Sequence, residues 1–129
     1  MYVNLYNAAG LCQFGAFAGT GRLPLFDWLS AATGIQRTPN EWMKVGATIQ
    51  TLRQQFNIKH GIEPRDFFAS DRSNGVIPLK EGPNKGRVVQ VEALLNGYWG
   101  LMGWDVQTGK PKPEDVSAIE ASLGIGEGG

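Results

Sequence analysis

Cysteine is nearly missing from this chain: Cys12 is the only one in 129 residues, and His60 is the only histidine. One thiol cannot close an internal disulfide, nor can it alone supply the four thiolates that typically hold an iron–sulfur cluster. Long hydrophobic runs are missing too, so nothing matches a membrane span or the basic, apolar and cleavage-site layout of a secretory leader. A reducing, cytoplasmic setting with no membrane partner is the expectation. Neither sign of charge is in excess, with twelve basic residues against twelve acidic ones. Without a dense Lys/Arg stretch, no nucleic-acid partner is expected.

Glycine, by contrast, is abundant: 18 residues, about twice the average share. Many of these glycines fall between segments of helical periodicity, which predicts short helices joined by long ordered loops. The length suits one domain with a core that needs no staple. We therefore expect an all-α fold, an irregular bundle of about four to six helices, forming one domain over residues 1–129 with a frayed glycine-rich tail over 124–129.

The clearest helix start is Thr38-Pro39-Asn40-Glu41. Thr38 can cap, Pro39 suits the first helical position, and Glu41 can reach back to complete a capping box. Trp42, Val45, Ile49, Leu52 and Phe56 then recur at three- and four-residue steps to about Asn57, a single stripe to bury. Lys44, Thr51, Arg53, Gln54 and Gln55 mostly fall on other faces. A second helix is expected from about Gln90 to Met102, with Val91, Leu94, Leu95, Tyr98, Leu101 and Met102 as its stripe. Shorter helices should open at Pro24, ending at Gly34, and at Pro113, ending at Gly124. Residues 59–87, broken by Pro64, Pro78 and Pro83, read as a long loop region. Val88-Val89 has strand character but no pairing partner.

Among residues with chemistry to offer, Cys12 taken alone reads as a small buried apolar side chain, as free cysteines usually are. His60 sits just past the central helix, where favourable contact with the helix C-terminus accounts for it. A Cys12/His60 nucleophilic pair lacks an orienting third group. Trp42, Trp99 and Trp104 read as core aromatics, and Arg65, Asp66, Asp71 and Arg72 as loop salt bridges of small individual worth. Asn7 fits a residue near a helix C-terminus next to Gly10.

The run Asn7-Ala8-Ala9-Gly10-Leu11-Cys12 resembles the second cofactor-binding motif of the tungsten- and molybdenum-pterin aldehyde ferredoxin oxidoreductases, Asp-x-x-Gly-Leu-Cys. Here Asn7 stands where the family has aspartate. The resemblance continues through Asn40-Glu41-Trp42-Met43-Lys44-Val45-Gly46, Glu81-Gly82-Pro83-Asn84-Lys85-Gly86 and Trp99-Gly100-Leu101-Met102-Gly103-Trp104-Asp105, in the order of that family's C-terminal helical domain. Met102 replaces the family's arginine before Gly103. By this resemblance the chain is expected to be a detached C-terminal domain, inactive alone, of an enzyme that oxidises aldehydes or related carbonyl compounds.

The resemblance implies further that Cys12 is the fourth ligand of a [4Fe–4S] cluster whose other three cysteines lie in an upstream domain. Gly10 would let backbone approach the cofactor, Leu11 and Phe14 would shield the cluster, and Asn7 would face the amino groups of a tungsten or molybdenum bis-pterin. No cofactor is expected in the isolated chain. The implied partners are the upstream domains, ferredoxin and an aldehyde-type substrate, with self-association also allowed. The competing expectation is a free-standing helical interaction or subunit-assembly module without catalysis, presenting Leu5, Tyr6, Ala8, Ala9, Leu11, Phe14, Ala16 and Phe17 to a protein partner. Under either reading, residues 2–17 should be partly exposed or disordered in the isolated chain, or buried by self-association.

Overall fold

The computed structural model describes residues 1–12, 14–15, 23–66 and 70–125. Six α-helices and one 3₁₀ turn occur among them, and no strand: α1 (Tyr2–Ala8), α2 (Leu25–Thr33), α3 (Pro39–Lys59), the 3₁₀ turn (Pro64–Asp66), α4 (Asp71–Asn74), α5 (Val91–Met102) and α6 (Pro113–Ser122). This is the all-α class expected. The chain divides into two compact units, Met1–Arg53 and Gln54–Gly129, with the division falling within α3. The expected fraying of 124–129 lies mostly outside the described residues.

In the first unit α1, α2 and the opening of α3 bury Leu5, Tyr6, Leu25 and Trp42, with Leu11, Leu23, Phe26, Leu29 and Val45 packed around them. The capping box forms as anticipated. Thr38 Oγ1 accepts from the Glu41 N–H (3.3 Å), and Glu41 Oε2 accepts from the Thr38 N–H (2.7 Å). Trp42 then enters the core four residues after its cap, and its Nε1 donates to the buried Ser30 Oγ at 3.1 Å. That bond matters because an indole N–H sealed away without a partner would cost about 1–3 kcal/mol. Gly46 is buried because the first turn of α1 lies on it, close enough that a Cβ there would collide with the Met1 carbonyl. Asn4 ties α1 to α3 by donating to Gln50 Oε1 and accepting from Arg53 Nη1, each at 2.8 Å. Pro24 precedes α2 rather than opening it, and Gly34 closes that helix.

In the second unit the buried residues include Trp99, Trp104 and Val116. Gly109 lies against the six-membered ring of Trp99 and the Pro64 side chain, leaving no room for a Cβ. The Arg65 guanidinium covers the Trp99 ring at 5.0 Å, its Nε donates to the Gln107 carbonyl, and its Nη1 pairs with Glu92 at 3.2 Å. The Asp105 carboxylate gathers the Gln107 N–H, the Thr108 N–H and the Thr108 hydroxyl. Bonds from the Thr108 hydroxyl first and its N–H second hold this carboxyl below its ordinary range.

Several stripe assignments need correction. Phe56 is 62% exposed, lying beside the His60 ring one turn on, while Thr51 and Gln54, expected on other faces, are buried. Gln54 is tolerated inside because its Nε2 donates to the Gly109 carbonyl. In α5, Leu94 and Leu101 are exposed and Trp99 takes the interior instead. A large indole claims the buried face and rotates those leucines outward. The expected loop over 59–87 contains the 3₁₀ turn and the four-residue α4, capped by Ser70 Oγ. Of its expected salt bridges, Arg65 has one, but the Asp66 carboxylate accepts the Glu63 N–H instead.

Candidate functional site

Helix α1 ends in a six-residue turn that places Cys12. The Gly10 N–H donates to the Asn7 carbonyl (3.0 Å) and the Leu11 N–H reaches back to the Tyr6 carbonyl (3.3 Å). These are the paired bonds of a Schellman motif, which requires a left-handed residue just past the helix. Gly10 supplies it with φ +74°. Leu11 packs on the cluster that contains Tyr6, the apolar contact that accompanies this motif. Sequence, turn and packing together fix where the chain leaves the helix, and Cys12 is the next residue.

The thiol of Cys12 is free and exposed. This overturns the reading of Cys12 as a small buried apolar side chain: the Schellman turn packs the half-buried Leu11 on the core and leaves the following residue exposed. Among the described residues little lies close around it. A Cβ built at Gly10 would meet nothing within 4 Å, and one at Gly15 would reach only ordinary contact, 3.9 Å, with the Cys12 Cβ. Phe14 is 82% exposed. Gln13 and residues 16–22 lie outside the described residues, Ala16 and Phe17 of the expected partner-facing run among them.

Asn7 is exposed in the last turn of α1, where its carbonyl serves the turn, so its place near a helix C-terminus is as expected. Leu5 and Tyr6, by contrast, are 3% and 4% exposed inside the first unit. They are core residues and cannot be offered to an outside partner. Residues 2–12 thus divide between an interior edge (Leu5, Tyr6, with Leu11 half-buried) and an exposed one (Asn7 to Gly10 and Cys12).

Among the described residues no three or more His, Cys, Asp or Glu side chains come together in a way that could hold a metal ion. His60 lies in the second unit, exposed beside Phe56 at a ring separation of 4.3 Å. The donor set is therefore one accessible thiol next to a hydrogen-bonded turn. It fits a single corner of a multi-thiolate centre and does not fit a complete one.

A family model described as aldehyde ferredoxin oxidoreductase, domains 2 and 3, matches residues 1–120. The chain is 35% identical over 118 residues to the tungsten-containing aldehyde ferredoxin oxidoreductase of Thermococcus kodakarensis, and equally to that of Pyrococcus furiosus, covering 90% of this chain and 19% of each relative. Against the protein of the same description from Pyrococcus abyssi it is 37% identical over 100 residues, 78% of this chain and 16% of the relative. The chain thus spans about a fifth of the length of these relatives.

Proposed function

This chain belongs to the aldehyde ferredoxin oxidoreductase family, and from that premise we propose that it is the C-terminal helical domain of a larger tungsten- or molybdenum-pterin oxidoreductase, contributing Cys12 as the fourth ligand of a [4Fe–4S] cluster. The parent enzyme oxidises aldehydes or related carbonyl compounds in the cytoplasm and passes electrons to ferredoxin, and the isolated chain is inactive. The single observation that carries the reading is the exposed Cys12 thiol on a turn held by its own backbone bonds.

When bound, the pterin metal and the cluster supply the two-electron carbonyl oxidation and the one-electron exits that protein side chains cannot. This chain's part is positioning. Soft thiolate suits iron, and a thiolate fixed by a Schellman turn loses little freedom when it becomes a ligand. Gly10 keeps the flank of the turn free of side-chain bulk, and Leu11 anchors it to the core of the first unit. Asn7 would offer the pterin a neutral acceptor. Its contact is weaker than a carboxylate's, since charge-assisted hydrogen bonds are about twice as strong as neutral ones. The upstream domains supply the remaining thiolates and the groups that act on substrate.

The test supplies the upstream domains of a tungsten-containing relative and compares Cys12 with Cys12→Ser by iron and sulfide content and by the low-temperature EPR signal of the reduced cluster. Loss of the intact cubane in the variant is expected. Full cluster content and an unchanged signal would remove Cys12 from the ligand set.

A further inference from the structure

The described arginines fall into two groups. Arg37 lies over the Trp42 ring at 5.1 Å, Arg53 donates to Asn4, and Arg65 covers Trp99 while pairing with Glu92. Arg72 and Arg87 make no ion pair, ring contact or side-chain hydrogen bond among the described residues. Both line one open surface pocket of about 390 Å³ in the second unit, together with Ser73, Asn84 and an apolar side formed by the partly exposed Leu79, Val88 and Val89. We propose that this cavity binds a small oxyanion, a phosphate or carboxylate head carried on an apolar body.

The backbone is built to hold the two arginines on a common cavity. Arg72 sits in α4, and the Val89 N–H donates to the Asn74 carbonyl at the end of that helix (2.8 Å). Gly75 follows with φ +77°, and a Cβ there would strike the Arg87 carbonyl and crowd the Val88 Cα. Only glycine allows these two stretches of backbone to touch. The loop that carries Arg87 is closed on itself by the Gly86 N–H to the Leu79 carbonyl and by the Arg87 N–H to the Asn84 carbonyl. Over residues 70–89 the basic residues are Arg72, Lys80, Lys85 and Arg87, against acidic Asp71 and Glu81. In a chain of zero net charge this is a local positive excess, and neither carboxylate lines the cavity.

Guanidinium groups present paired N–H donors that match an oxyanion bidentately, and the amide of Asn84 adds neutral donors. The apolar wall selects for a body beyond the head. The volume lies in the range of small-molecule sites. Nothing here depends on Cys12 or on the cluster.

The experiment follows backbone amide shifts of the chain by NMR at physiological ionic strength, with phenyl phosphate, benzoate and neutral benzyl alcohol as probes. Saturable shifts at Ser73, Gly75, Val88 and Val89 with at least one anion, and none with benzyl alcohol, are expected. The tighter of the two anions identifies the head group. Arg72→Gln with Arg87→Gln should weaken binding at least tenfold while amide signals outside 70–90 stay in place, and the paired lysine variants should retain part of the affinity. Absence of saturation by either anion, equal binding of benzyl alcohol, or undiminished affinity in a folded double glutamine variant would overturn the proposal.

Discussion

Gly10 is held by its backbone angle and not by crowding: φ is +74° and no described residue stands within 4 Å of where a Cβ would be. Gly10→Ala should therefore fold but lose about 1–2 kcal/mol, the cost of a left-handed alanine. Gly10→Asn should lose less, since asparagine tolerates that region. Urea denaturation of the three proteins checks the order. Equal stability of the alanine variant would mean that the turn does not need its left-handed residue. The Gly-Leu-Cys motif can be read from sequence, but exposure of the sulfur cannot, because burial at one position depends on which neighbour the turn sends inward. Leu11 goes in and Cys12 comes out. That Arg72, expected in a loop salt bridge, and Arg87 make none among the described residues was equally hidden, since it depends on which carboxylates the loop brings near.

At the scale of a helix, α3 shows how a local signal and a tertiary one divide the outcome. Its start was legible because capping is written within four residues. The Thr38 hydroxyl and N–H both bond the Glu41 carboxylate, the hydroxyl contributing most, and they hold that carboxyl below its ordinary 4.5. A depressed folded value means the contribution is complete above pH 4.5 and is lost as pH falls through the lower folded value. Thr38→Ala should cost about 1 kcal/mol at neutral pH and progressively less as Glu41 protonates. The Glu41 titration, followed by NMR, should move back toward 4.5. A variant whose deficit is the same at pH 3 and pH 7 would show that the carboxylate plays no part. The far end of α3 was not legible. Periodicity put Phe56 inside and Gln54 outside, but the interior there receives the Gly109 carbonyl, which calls for a donor. In α5 the periodicity was right about the helix and about Val91, Leu95, Tyr98 and Met102, which are half-buried, but wrong about Leu94 and Leu101, which lie exposed away from the side where Trp99 is buried.

Across the whole chain, composition and spacing were enough for the all-α class, and four ordered motifs resembling those of a known family were enough to point to the membership that the family match shows. What lay beyond them was the division into two units, which follows from long-range packing of particular side chains. Each unit owns its buried indoles: Trp42 at 5% exposure in the first, Trp99 at 3% and Trp104 at 5% in the second, while Trp28 stands 47% exposed. An indole sealed from water emits at shorter wavelength than one in contact with it, so the protein carries an intrinsic optical label for either half of its sequence. With Trp28→Phe as background, a red shift from a Trp42→Phe protein reports opening of the second unit alone. The first can be watched through Trp42 once the other two indoles are replaced, with no dye attached to the one thiol that the proposed cluster would need.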